Sequence, residues 1–394
     1  MTAQERFYTA VSGGRPDRVP TLPKIWVDLG AALMGIDLRD VIEDSSMAIR
    51  VVVEAALAVK ADGVRLFHLP GRRTRVEKDT LVEVDENGCD LGSIDFQGGL
   101  ATSLSDTSKL RLDAPYRIAF LSSWSTREPL VRNLEDVKRI AVPDKAFYES
   151  TGCGKRQREI IEEYGDRIAL LGDCGSATLA FHVLLRRMDN ALIDLLEQPR
   201  LAHAAMEKGA AIAIEKGKFN IDSGLNILRL NDSVANMSVI SPSHWREFIF
   251  PHMKTVCEEL HSYAPTVRIY CHICGNVLPI MEDIIRTGLD CIGPLDSIGG
   301  VTCAAAREAV GDRVALMGGV DTQSFVNSEP EEFIEEARRC IEEGDCNGGY
   351  ILGSGCALSR NSRRDNLIAL SRAAELYGVY SENGRGLCHM QKTK

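Results

Sequence analysis

Short apolar runs alternate along the chain with longer stretches whose apolar positions follow helical spacing. This rhythm is typical of a parallel α/β sheet, in which each strand is followed by a helix. Eight strands in such an order favour a (β/α)8 TIM barrel. A doubly wound open sheet is the alternative, because strand number alone does not close a barrel. The predicted strands are VPTLPKIWV (19–27), GVRLFH (63–68), RIALLG (167–172), NILRLN (226–231), TVRIYCH (266–272), CIGPLD (291–296), RVALMGG (313–319) and GGYILGS (348–354).

Two segments show the helical pattern well. Residues 1–14 alternate charged and apolar positions as an amphipathic helix does, so we expect an N-terminal helical extension. In the segment 328–344, Ser328 and Glu331 have the spacing of a capping box. The same segment carries one apolar face, made of Phe333, Ile334, Ala337 and Ile341.

The long region between the second and third strands predicts an insertion at 69–110. Two alternating runs flank Asp85-Glu86-Asn87-Gly88, which is a hairpin signal. We find no repeat, low-complexity run or linker that would mark a second domain. The sequence therefore predicts one barrel domain over residues 1–380 and a disordered tail at 381–394.

Composition narrows the class of partner. The 394 residues are 44% hydrophobic and 26% charged, with a formal net charge of −10. This charge argues against nucleic acid and anionic membrane surfaces as partners, and it favours a small molecule or another protein. No apolar run reaches the roughly 18 residues of a membrane span, so we expect a cytoplasmic protein. The twelve cysteines are scattered through a long chain, which makes a disulfide framework improbable.

The stretch YCHICGN places histidine and cysteine at the end of the fifth predicted strand. Side chains alternate faces along a strand, so His272 and Cys274 point to one side and Cys271 to the other. In a barrel, Cys356 follows the eighth strand at the same C-terminal rim, where such enzymes carry their chemistry. One imidazole and two thiolates suit Zn²⁺, and three protein ligands leave a fourth position open. We therefore predict a catalytic zinc site.

Plainer interpretations of these residues stay open. A His-x-Cys pair is common by chance, and a single cysteine such as Cys356 is typical of a buried thiol. Cys271 and Cys274 have redox-pair spacing, although nothing nearby resembles a thioredoxin-like arrangement.

Other polar residues end the predicted strands at the same rim. Acidic residues at these positions are also good helix N-caps, and Asp296 and Asp321 can be explained by that structural role alone. We predict that Asp232 is catalytic, because it precedes a loop rather than an immediate helix and could ligate zinc weakly or hold the substrate. The predicted substrate-binding residues are Asn231, His68 and Asp173.

Four motifs resemble the uroporphyrinogen decarboxylase superfamily, and within it the zinc-dependent, corrinoid-linked methyltransferases. The likeness runs from about residue 5 to 379, and it implies zinc on His272, Cys274 and Cys356. It also implies methyl transfer between a corrinoid (cobalamin) protein and a small oxygen or sulfur substrate, in which demethylation of a methoxylated compound is our preferred direction. The motifs are SPSHWREFIFPHMK (241–254), CHICGNVLPIMEDIIRTGLDCIGPLD (271–296), AREAVGDRVALMGGVDTQSF (306–325) and YILGSGCAL (350–358).

Other functions remain as alternatives. A methylcorrinoid:thiol methyltransferase of the coenzyme M type fits the same residues. A decarboxylase acting on an acidic tetrapyrrole fits less well, because the chain has PKIWVDLGAALMG (23–35) where that group carries an Arg-rich motif of the kind RQAGRY. A structural zinc in a non-catalytic protein is the third alternative.

Overall fold

The structure is a computed structural model of the 394-residue chain. It describes residues 1–67, 72–78, 80–85, 87–95, 101–104, 112–113, 118, 124–126, 128–345 and 347–380. The predicted tail at 381–394 lies outside the described residues.

The strands in the described part of the chain form two sheets. Their bounds are β1 (Thr21–Leu22), β2 (Gly63–Leu66), β3 (Arg73–Glu77), β4 (Thr80–Val84), β5 (Asp90–Asp95), β6 (Ala101–Leu104), β7 (Trp124–Thr126), β8 (Ala169–Ser176), β9 (Ile227–Asn231), β10 (Arg268–His272), β11 (Cys291–Leu295), β12 (Ala315–Val320) and β13 (Tyr350–Ser354).

The larger sheet has eight parallel strands in the order β1-β13-β12-β11-β10-β9-β8-β2. Its two end strands approach each other, since the Asp62 N–H donates to the Thr21 carbonyl oxygen at 3.1 Å. The sheet is therefore a nearly closed barrel, and the predicted (β/α)8 TIM barrel is confirmed. Each of the eight predicted strands overlaps one barrel strand.

Helices follow the barrel strands and cover the outside of the sheet. Their bounds are α1 (Ala3–Val11), α2 (Val27–Met34), α3 (Leu38–Glu43), α4 (Ser45–Ala58), α5 (Leu134–Arg139), α6 (Lys145–Ser150), α7 (Cys153–Tyr164), α8 (Leu179–Arg186), α9 (Met188–Glu197), α10 (Pro199–Asp222), α11 (Pro242–His244), a π turn (Trp245–Ile249), α12 (Phe250–Tyr263), a 3-10 turn (Leu278–Ile280), α13 (Met281–Arg286), α14 (Cys303–Val310), α15 (Ser324–Asn327), α16 (Pro330–Gly344) and α17 (Arg364–Tyr377).

The N-terminal extension is α1, which closes the N-terminal end of the barrel. Its buried residues Phe7, Ala10 and Val11 pack with interior side chains at the strand starts, among them Ala169 and Ile227. A Cβ on Gly63 would lie only 2.5 Å from the Phe7 ring, so the start of β2 must be glycine for α1 to fit. The closed end lies opposite the C-terminal rim, which carries the predicted site.

The smaller sheet, β3 to β7, is the insertion that follows β2. The predicted hairpin is confirmed, because β4 and β5 pair antiparallel on either side of the turn. In this turn the Asp85 N–H donates to the Cys89 carbonyl oxygen at 2.9 Å, and Gly88 has a φ of 80°.

The predicted capping box at Ser328 is wrong. Pro330 occupies the first turn of α16, so the helix begins there and its N-cap is Glu329. The apolar face is confirmed for Phe333, Ala337 and Ile341, which are fully buried. Within the described residues, no helix combines the length and the apolar character needed to cross a membrane.

Candidate metal centre

His272 is the last residue of β10, and its side chain faces the barrel interior. It lies beside Asn231 of β9 and Gly293 of β11. The preceding residue, Cys271, pairs in register with Leu230 and packs in the outer core between the sheet and the helices. The alternation predicted for this strand is therefore present, with the histidine inside and Cys271 outside.

A short loop after β10 brings Cys274 back to the rim. Gly275 has a φ of 84°, and a Cβ there would lie 2.7 Å from the Asn236 side chain. The Asp296 carboxylate accepts hydrogen bonds from Gly275 N–H at 2.8 Å and from Gly299 N–H at 3.2 Å. This carboxylate therefore ties the loop after β10 to the loop after β11.

The third residue, Cys356, follows β13. Gly355 N–H donates to the Val320 carbonyl oxygen at 2.8 Å, and the Ser354 hydroxyl donates to the Cys356 carbonyl oxygen at 2.7 Å. These bonds hold the chain across the top of β12, so that the cysteine faces His272.

The donor atoms of His272, Cys274 and Cys356 all lie within 4.8 Å of one another. Cys356 Sγ and His272 Nε2 are 3.9 Å apart. A tetrahedral zinc with bonds of about 2.3 Å to sulfur and 2.0 Å to nitrogen keeps its donors roughly 3.5 to 3.8 Å apart. The three residues therefore fit zinc after a small contraction. Among the described residues, this is the one group of three such side chains with this geometry.

The protonation states of Cys356 and His272 suit metal binding. The hydrogen bond from Cys274 and the nearby Lys24 charge lower the pKa of Cys356 to about 6, whereas the same hydrogen bond and burial raise the pKa of Cys274. Burial, together with the charges of Arg229 and Lys24, holds the pKa of His272 well below its usual value. The imidazole is therefore neutral, which is the form that binds metals.

A layer of basic residues lies in the barrel interior beneath the cluster. Arg65 of β2 pairs in register with Leu171, which belongs to the interior core. Arg229 of β9 lies beside Tyr270 and makes ion pairs with Asp173 at 2.6 Å. Lys24 completes the layer, and burial lowers the pKa of its amine to about 7. A cavity of about 20 Å³ is lined by Leu22, Pro23, Lys24, Ile25, Trp26, Arg65, Arg229, Tyr270 and His272.

Two of the predicted substrate-binding residues face this interior. Asn231 accepts a hydrogen bond from Arg229 at 2.6 Å and lies beside His272. Burial opposes ionisation of Asp173, but Arg229, Arg65 and Lys216 hold the pKa of its carboxyl at about 2. The third predicted residue, His68, lies outside the described residues.

The structure places Asp232 in a capping position rather than in the cluster. It is fully buried, and its carboxylate accepts hydrogen bonds from the Thr178 hydroxyl and from Ala180 N–H at the start of α8. Burial raises the pKa of this carboxyl to about 7. This placement gives no support to the predicted catalytic role, and a backbone cap explains the position.

Sequence reasoning missed the basic layer. Lys24, Arg65 and Arg229 each stand within an otherwise apolar predicted strand. A single basic residue within an apolar strand could have indicated this layer, because a buried charge needs a partner or a ligand.

The family model described as uroporphyrinogen decarboxylase (URO-D) matches residues 125–377 of the chain. The methylated-thiol–coenzyme M methyltransferase of Methanosarcina mazei is 29% identical over 178 residues, which cover 45% of this chain and 45% of that protein. The methylcobamide:CoM methyltransferase MtaA of Methanosarcina barkeri is 24% identical over 221 residues, covering 55% of this chain and 60% of that protein. Both alignments span less than two thirds of the relative's length, and uroporphyrinogen decarboxylases match at similar identity.

Among solved structures, a methyltransferase from Methanosarcina mazei has the same fold. It superposes with a TM-score of 0.70 at 17% identity and covers 95% of this chain and 98% of that chain.

Proposed function

Because the chain belongs to the uroporphyrinogen decarboxylase (URO-D) family, we propose that it is a zinc-dependent methyltransferase. It moves a methyl group between a corrinoid carried by a partner protein and a sulfur or oxygen atom of a small substrate. The observation that carries the proposal is the cluster of His272, Cys274 and Cys356. Relatives whose names specify thiols, coenzyme M and a cobamide support it.

The donor set suits the metal and the chemistry. Zinc bound there would supply a Lewis acid that favours the anionic form of the substrate's sulfur or oxygen. Two cysteine thiolates offset the two positive charges of the ion, and the neutral His272 adds none. Three protein donors leave one coordination position for the substrate.

Neighbouring residues of the chain hold this arrangement. Asp296 fixes the loop that carries Cys274, through the backbone N–H groups of Gly275 and Gly299. The Lys24 charge favours the thiolate of Cys356. Because both cysteines lie at the C-terminal rim, the small substrate and the corrinoid meet at one end of the barrel.

The reaction has two directions, and the cluster serves both. In demethylation, the bond between the methyl carbon and the heteroatom breaks, and its electron pair stays with the departing heteroatom. The new carbon–cobalt bond takes its electron pair from Co(I). In the reverse direction, a thiolate of the substrate attacks the methyl carbon and Co(I) is released.

The length of the insertion at 69–110 favours a methoxylated compound, because a small thiol requires less pocket wall, but much of this insertion lies outside the described residues. The names of the relatives support a thiol substrate instead. Both classes therefore belong in the test.

A decarboxylase is the second candidate, and the basic layer of Lys24, Arg65 and Arg229 is the observation that favours it. Carboxylated tetrapyrroles need such cations. The chain has PKIWVDLGAALMG (23–35), however, where that group carries its Arg-rich motif, and this argues against a tetrapyrrole substrate.

The test uses purified, zinc-loaded protein and the absorbance of free cobalamin. One series offers methoxyaromatics to Co(I) cobalamin, and a second offers thiols to methylcobalamin. We expect turnover in at least one series, and loss of at least about a hundredfold in Cys356→Ala. Failure in both series, together with loss of carboxylates from an added porphyrinogen, would assign the protein to the decarboxylases.

A further inference from the structure

A pair of histidines lies outside the barrel, on the two helices that precede β9 and β10. His203 belongs to α10 and His252 to α12, and both side chains are half-buried. The two helices pack closely, because a Cβ on Gly217 of α10 would lie 2.5 Å from the Leu260 side chain of α12. The pair therefore lies at a packed contact between two helices and remains accessible from solvent.

One nitrogen of each ring faces the other ring. His203 Nδ1 and His252 Nε2 are 3.1 Å apart. A tetrahedral zinc with bonds of about 2.0 Å to nitrogen keeps two imidazole donors about 3.3 Å apart. The spacing of the pair therefore fits a metal ion between the rings as well as it fits a hydrogen bond between them.

The ring of His203 is held in place by Phe248. The two rings stack with their centroids 4.7 Å apart and an angle of 27° between their planes. Phe248 belongs to the π turn Trp245–Ile249, which lies between α11 and α12, and such turns are frequent at functional sites. Because the stacked ring is already ordered, binding of an ion costs little further ordering of this donor.

The surroundings of the pair also suit a metal ion. Burial and the neighbouring His203 lower the pKa of His252, so its imidazole is neutral at pH 7, which is the form that binds metals. Glu207 lies one turn after His203 on α10 and is exposed, and its charge acts on His252. A change of its rotamer would add a carboxylate as a third donor.

We propose that His203 and His252 form a second metal site, which takes a divalent transition-metal ion such as zinc. Imidazole donors suit zinc, whereas magnesium prefers oxygen donors alone. This site has no thiolate, so it binds zinc more weakly than the centre at the barrel rim. The second site therefore fills only when zinc is added to the purified protein, and the ion then joins α10 to α12.

The test titrates zinc, and in a second series magnesium, into purified protein whose rim centre is already loaded. Calorimetry measures the binding. We expect one further zinc per chain and no comparable binding of magnesium. Added zinc should also raise the midpoint of thermal unfolding, because an ion that binds only the folded state stabilises that state.

Three variants assign the effect. His203→Gln and His252→Gln each remove one donor and keep a side chain that forms hydrogen bonds. Each should weaken binding of the added zinc at least about tenfold and abolish the thermal shift. His244→Gln is the matched control, because His244 also lies against the Phe248 ring, with centroids 6.3 Å apart, and should change neither result. If one of the two Gln variants does not fold, the other decides.

No binding of added zinc, equal binding of magnesium, zinc binding that persists in both variants of the pair, or an equal loss in His244→Gln would overturn the inference. The pair would then be a hydrogen bond alone. Because the rim centre is loaded throughout and no methyl transfer is measured, these outcomes are separate from those of the proposed function.

Discussion

At the scale of single residues, the metal centre depends on the alternation of side chains along β10. Cys271→Ser should keep the metal and cost about 1 kcal/mol of stability, because the side chain packs in the outer core. Cys274→Ser should lose most of the bound zinc. Elemental analysis and denaturant unfolding of both variants check this pair. Equal loss of metal would show that the assumed strand register is wrong.

We predict that the free energy of unfolding depends on pH through the carboxyl group of Asp173. The pKa of its carboxyl is about 2 in the fold, below the value of about 3.9 of an unfolded chain. Its contribution to stability, about 2 kcal/mol, is therefore present above about pH 4 and is lost as the pH falls towards 2. Asp173→Asn should be less stable at neutral pH, and the difference should shrink between about pH 4 and 2.

Urea unfolding at several pH values measures this effect. Asp166→Asn, at an exposed position before β8, is the control and should follow the wild type. If the difference in unfolding free energy between Asp173→Asn and the wild type does not change with pH, the ion pair is not its cause.

The individual site residues could be predicted only in part from the sequence. The inward direction of His272 follows from the period of two along β10, and the shared barrel rim places Cys356 near it. Cys274 was predicted on the same strand, but it lies on the loop after β10, so its position beside His272 depends on that loop. The capping role of Asp232 was not visible in the sequence, because its partner, the start of α8, is 52 residues away in another unit of the barrel. Which backbone N–H groups lie near a strand end depends on packing that a single sequence does not display.

At the scale of elements, the carboxylate of Asp296 is hydrogen-bonded to both the loop after β10 and the loop after β11. Asp296→Ala should release the loop after β10 and weaken zinc binding about tenfold, with only a small change in stability. Competition with a chelator of known affinity measures this. Asp321→Ala is the control, because Asp321 also follows a barrel strand and accepts from a backbone N–H, that of Gln323, but this bond stays within its own loop. Equal weakening in both variants would mean that Asp296 has no special role at the site.

The barrel strands were predictable because each is a buried apolar run bounded by helical segments. The start of α16 was less predictable, because Ser328 and Pro330 offer competing signals and the proline prevails. The basic layer was missed because the inward direction of Arg65 and Arg229 is fixed only once neighbouring strands are in register.

At the scale of the whole molecule, the core does not depend on the metal centre. The interior and outer core clusters fill the barrel from α1 up to the rim, whereas Cys274 and Cys356 lie on loops above them. Removal of zinc by a chelator should therefore leave the circular dichroism spectrum and cooperative unfolding in place. Unfolding on chelation would make the zinc structural.

The central claim is a zinc ion held by one imidazole and two thiolates, and zinc X-ray absorption of the purified protein tests it most directly. The predicted result is about one zinc per chain with two sulfur ligands and at least one nitrogen ligand, and one sulfur fewer for any zinc that Cys356→Ala retains. Absence of zinc, or an unchanged sulfur count in that variant, would contradict it.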